Sequence, residues 1–130
     1  MPRYRARAYF NNHLGFWDKP RPDEDELCRR AEDHLPALTG YRVGDPLHPS
    51  AIILDIDAPG PEDACEEVFR QLNQDKRPNR KIEPSLSVGD LVALEAEGEG
   101  VVFAWFAVEM PVGFRRVEQP QGLPAGSMAG

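Results

Sequence analysis

A chain of 130 residues is the size of one domain, and with 41% apolar residues it can bury a core of its own. Its formal charge of −7 at pH 7 disfavours nonspecific attraction to nucleic acid or to anionic membranes, both of which reward basic surfaces. No apolar run reaches the roughly 20 residues of a membrane span, and the N-terminal MPRYRARAYF lacks the apolar centre of a signal peptide. A cytoplasmic protein with no direct nucleic-acid binding and no membrane contact is therefore expected.

Residues 3–10 alternate, with Arg3, Arg5 and Arg7 on one side and Tyr4, Ala6, Ala8 and Phe10 on the other. Period-two alternation is the mark of a half-buried strand. The arginine stripe could grip phosphates; a solvated face balanced by neighbouring acids is the reading preferred here. The Asn11-Asn12 pair suits a tight strand exit, because asparagine tolerates turn backbone. His13 and Trp17 follow and form one candidate site, a polar head beside an aromatic wall as small-ligand pockets use. Trp17 capping the core is the plainer alternative.

Pro20 and Pro22 break the chain, and residues 23–26 (DEDE) open a helix with carboxylates at the positive end of its dipole. Leu27, Cys28, Ala31 and Leu35 make its stripe, and Pro36 ends it. A loop leads to a strand at residues 51–57 with Ile52, Leu54 and Ile56 facing inward. Asp55 and Asp57 share its other face, where a hard cation such as Mg²⁺ is conceivable and an exposed strand face is the more ordinary reading. After Pro59-Gly60-Pro61 comes a second helix whose stripe is Cys65, Val68, Phe69 and Leu72. Cys28 and Cys65 both fall on apolar stripes, so both are expected as buried, reduced core thiols.

The densest positive charge follows, with Lys76, Arg77, Arg80 and Lys81 within six residues. Such donors suit a phosphate or a carboxylate-bearing partner. Ser85 and Ser87 then alternate with Leu86 and Val88, and Gly89-Asp90 bends the chain into an apolar strand, residues 91–94. No histidine stands at a recognisable spacing from either serine, which argues against a nucleophile and for a backbone-fixing role. Residues 97–100 (EGEG) read as a hairpin turn. The next strand, 101–108, is apolar on both faces and is expected to lie inside the sheet under helices. Residues 118–130 are rich in glycine and proline and are expected to form a disordered tail.

Asn73, Asp75 and Pro78, followed by SLSVGD at residues 85–90 and the apolar strand 91–94, resemble the YodL-like domain family over about residues 62–117. Phe103, Trp105, Phe106 and the Gly113-Phe114 pair echo that family's aromatic strand and terminal Gly-Phe. The resemblance implies a small bacterial domain, often met on mobile elements, without an established activity. It implies a unit of fold and no reaction, and singles out Asp75, Arg77, Ser85, Ser87 and Asp90.

The three histidines show no metal spacing, and there is no C-x-x-C, H-E-x-x-H, phosphate-binding loop, dinucleotide fingerprint or nucleophile elbow. No cofactor is expected. The element order predicts an α+β fold, a single compact domain with two helices packed on a mixed, mostly antiparallel β-sheet. Phe69, Leu72, Leu94, Phe103 and Trp105 or Phe106 should share its core. The leading functional expectation is a noncatalytic binding or adaptor module for a protein partner, using Asp75, Arg77, Arg80, Lys81, Ser85, Ser87 and Asp90. An acidic nucleic-acid mimic or anti-defence factor is the alternative, and a small-ligand domain at His13 and Trp17 comes third.

Overall fold

The sheet is built outward from β1 (Arg3–Tyr9), which pairs with β2 (Ile52–Asp57) on one side and β3 (Leu91–Ala96) on the other. β4 (Val102–Glu109) and β5 (Gly113–Val117) complete the order β2-β1-β3-β4-β5, and each of these pairings is antiparallel. The computed structural model describes residues 2–15, 17–49, 51–73, 86–109 and 113–120. Its helices are α1 (Glu24–Asp33), the single turn α2 (Pro36–Thr39) and α3 (Pro61–Leu72). The α+β expectation holds. No described helix is long and apolar enough to cross a membrane.

Alternation in β1 sorts the two faces. Tyr4, Ala6 and Ala8 join Ile52, Ile56, Val92, Leu94, Ala104, Phe106 and Val108 in one core layer. The small alanines leave room for α3, which crosses β1, β2 and β5 and buries Ala64, Cys65, Val68 and Leu72. Each large apolar side chain so buried contributes roughly 1.5–3 kcal/mol. Pro61 starts α3 where a helix has no use for its missing N–H. Phe69 packs against this layer partly buried, edge-on to Phe114 at 6.4 Å.

The opposite face carries the arginines, and the register explains why they stay there. Arg3 stands opposite Asp57, and Arg5 opposite both Asp55 and Glu95. Arg3 reaches Asp57 at 2.9 Å and Glu97 at 3.3 Å; Arg5 lies 3.5 Å from Asp55, and Arg7 lies 3.7 Å from the buried Glu95. Opposite charges facing one another across strands are the sheet's counterpart of a helical i, i+4 pair. The stripe is a balanced charged face, and Asp55 and Asp57 are held by arginine. Farther along, Tyr9, Leu91, Ala93, Trp105 and Ala107 form a second apolar layer with Tyr41 from the loop before β2.

Two expectations are corrected. Phe103 is 43% exposed, because the β3–β4 register shifts between Leu94 and Glu95, pairing Leu94 with Ala104 and Glu95 with Val102. The extra residue of this bulge is left unpaired, and its ring rests on Tyr4 at 6.0 Å. Trp105 and Phe106 therefore serve different layers, and it is Phe106 that joins Leu72 and Leu94.

Cys28 is exposed, and α1 buries none of its residues. Its first turns are held locally. Asp23 caps it by accepting the Glu26 N–H at 2.8 Å, and Arg29 and Arg30 both grip Glu26, holding its carboxyl down at about 2. At the C-terminal end Glu118 and Gln119 are exposed and Pro120 is buried, while the rest of the expected tail, 121–130, lies outside the described residues.

Candidate functional site

β1 runs out at Tyr9, and the loop beyond it is tied down by its two asparagines. The Asn11 N–H donates to Asp90 Oδ1 at 2.8 Å, and its Nδ2 donates to Asp45 Oδ2 and to the Gly89 carbonyl, each at 3.0 Å. Asn11 Oδ1 accepts the His13 N–H at 2.9 Å, and Asn12 Oδ1 accepts the Trp17 N–H at 3.0 Å. The first is the side-chain-to-backbone turn that asparagine favours, and the second spans the whole loop to Trp17. They set Trp17 against Phe10, ring centroids 5.7 Å apart, and against His48 at 4.4 Å.

The second wall comes from the turn entering β3. Asp90 Oδ2 accepts the Ser87 N–H at 2.9 Å and its hydroxyl at 3.3 Å, closing residues 87–90 into a turn. Gly89 sits at φ +98°, and a Cβ there would lie 2.6 Å from Pro36 Cβ and 3.0 Å from the Pro36 carbonyl. Glycine is thus needed twice over, for the backbone and for the close approach of α2. Asp90 is buried at 6% exposure. That burial pushes its carboxyl up to about 7, against the three donors that hold it down.

These walls enclose a cleft of about 410 Å³. Phe10, Leu14, Trp17, Pro36, Ala37 and Val88 give its apolar lining, with Asn11, Ser87 and Asp90 as polar points and Arg21 as the cation. The size and the mixture are those of a cleft that takes a small ligand or a side chain.

The structure thus unites Trp17 with Ser87 and Asp90, which the sequence kept as two separate candidates. Ser87 is a turn-closing hydroxyl bonded to Asp90, in keeping with a backbone-fixing role. His13 is turned elsewhere. Its Nε2 lies 3.0 Å from the Arg30 carbonyl and 3.5 Å from Asp33, and its Nδ1 lies 3.8 Å from the buried Asp45. His34 joins the same network, bonded through Nε2 to Asp45 at 2.9 Å and through Nδ1 to Thr39 at 2.8 Å. The expected pairing of His13 with Trp17 in one pocket is therefore corrected: His13 ties α1 to the loop around Asp45, and Trp17 alone lines the cleft.

Asp75, Arg77, Arg80, Lys81 and Ser85 lie outside the described residues. The described ends of their segment meet where Asn73 Nδ2 donates to the carbonyl of Leu86, the residue before the cleft-lining Ser87, at 3.1 Å. Asn11, Arg21, Pro36 and Ala37 escaped sequence reasoning. Only the Asn11-Asn12 pair left a signal, and it announced a turn without its partner. Among the described residues no group of three or more His, Cys, Asp or Glu is placed to hold a metal ion. No protein-family model matches the chain, and no curated protein or solved structure matches it.

Proposed function

We propose that the protein is a noncatalytic binding module that recognises a protein partner by seating an apolar side chain in the cleft between the Trp17 loop, α2 and the 87–90 turn. One observation carries this reading: an aromatic-walled cleft in which Asn11, Ser87 and Asp90 are already engaged in holding its walls. Groups so engaged shape a surface without offering a reacting atom. In sequence, the basic stretch 76–81 shortly precedes the cleft-lining Ser87 and would supply charge for a partner. The resemblance to the YodL-like domain is densest over the same stretch and adds no reaction. The alternative of an acidic nucleic-acid mimic draws on the net charge of −7. On the sheet, however, Asp55, Asp57, Glu95 and Glu97 all stand beside arginines, which weakens a phosphate-like ridge there.

The test is capture from extracts of the source cell with the wild-type protein and with Ala37→Arg as baits. Ala37 is exposed at the cleft, so the arginine fills the mouth without disturbing the fold. A protein captured by the wild type and lost with Ala37→Arg, at unchanged Tm, supports the reading. Equal capture by both baits places the docking surface elsewhere.

A further inference from the structure

The polar inventory of the cleft is lopsided. The Asn11 N–H goes to Asp90, its amide donors go to Asp45 and Gly89, and its oxygen accepts from His13. The Ser87 N–H and hydroxyl go to Asp90, both of whose oxygens accept. Two lining donors remain. The exposed Arg21 guanidinium makes no hydrogen bond or ion pair among the described residues, although the nearby Asp18 pairs with Arg30. The indole N–H of Trp17 likewise engages no described acceptor; the bond of this residue is through its backbone N–H. An apolar slot whose uncommitted groups are a cation and an N–H donor favours an occupant that is apolar and anionic. In a chain of charge −7, an arginine that meets no acid among the described residues, at the rim of such a slot, is the complement of a negative partner.

We infer that the cleft selects a peptide segment in which a large apolar side chain adjoins a carboxylate, the side chain entering between Trp17, Pro36 and Val88 and the carboxylate meeting Arg21. This rests on the cleft being the docking site and names the chemistry of the partner. Arginine suits the role because its planar fork meets both carboxylate oxygens at once.

The probes are the N-acetylated, C-amidated dipeptides Phe-Glu, Phe-Gln, Phe-Lys and Gly-Glu, titrated into the full-length ¹⁵N-labelled protein while the Trp17 indole and Val88 amide signals are followed. Phe-Glu is expected to bind about three- to fivefold more tightly than Phe-Gln, the range of a partly exposed ion pair. Phe-Lys should bind more weakly still, and Gly-Glu should leave the signals in place. Arg21→Gln should erase the difference between Phe-Glu and Phe-Gln while leaving Tm unchanged. Equal affinity for Phe-Glu and Phe-Gln, or a preference that survives Arg21→Gln, overturns the inference and leaves the cleft as a docking site. If none of the dipeptides moves the two signals, the docking site itself falls. If 3-phenylpropionate binds more tightly than Phe-Glu with the same dependence on Arg21, the occupant is a small free carboxylate and the peptide assignment is overturned.

Discussion

Asp90, at the entry of β3, accepts the backbone N–H of Asn11, at the exit of β1, at 2.8 Å while its other oxygen closes the Ser87 turn. One buried carboxylate therefore holds both walls of the cleft. Asp90→Ala should cost about 2–4 kcal/mol in urea unfolding, because it leaves buried donors without an acceptor. Ser87→Ala should cost less than about 1 kcal/mol, since it removes one long hydroxyl bond and keeps the N–H contact. A loss for Asp90→Ala no larger than for Ser87→Ala would contradict this account.

The same carboxylate sets a pH dependence. Burial raises it to about 7 in the fold, against roughly 4 in an unfolded chain, so the folded state holds the proton more tightly. Its contribution to stability is fully present below pH 4 and is lost as pH rises through 7. The wild-type urea midpoint should therefore fall between pH 5 and pH 8 by more than that of Asp90→Asn, whose side chain does not titrate. Parallel pH profiles for the two proteins would contradict it.

Two glycines separate backbone strain from close approach. Gly44 and Gly89 have nearly the same φ, +97° and +98°, yet nothing lies within 4 Å of a Cβ on Gly44, whereas Pro36 blocks one on Gly89. Gly44→Ala should cost about 1 kcal/mol, for the left-handed backbone alone. Gly89→Ala should cost about 2–4 kcal/mol, since α2 must shift as well, and it should broaden the Trp17 indole resonance by loosening the cleft. Equal costs in thermal melts would show that α2 yields freely.

The cysteines should react on different timescales. Cys28 is exposed on α1, while Cys65 is buried under the sheet and its thiol is pushed up to about 12. The thiolate is the reacting species. An aromatic disulfide reagent should modify one thiol per chain quickly and the second only as denaturant is added, and Cys28→Ser should remove the fast phase. Two fast thiols would mean that α3 does not seal the core.

Charge in the basic segment should act on association rather than on folding. Arg77→Glu with Arg80→Glu should weaken partner capture and slow its on-rate, leaving Tm within about 2 °C. Unchanged capture by this double variant, together with loss in Arg3, Arg5 and Arg7 variants, would move the partner surface to the charged face of the sheet.

β1 and α3 were legible because a repeat in sequence is a direction in space. Alternation put Tyr4, Ala6 and Ala8 on one side of the strand and the arginines on the other. The stripe Cys65, Val68 and Leu72 likewise turned one helical face inward. The same reasoning misjudged Cys28, because spacing marks a helix's apolar face without saying what covers it, and no residue of α1 is fully buried. Phe103 was equally invisible: one extra residue in β4 turned its ring out, and the bulge belongs to the pairing of two strands. The cleft belongs wholly to the tertiary structure. Trp17 and Asp90 are far apart in the chain, and they meet because β1 and β3 pair antiparallel, bringing the end of one strand beside the start of the other. Sequence alone determined the kind of chain, the faces of its regular elements and several of the side chains that matter. Register, packing distance and the hydrogen bonds of two asparagines decided which of those side chains share a site, because long-range contacts depend on where strands pair, which local patterns leave open.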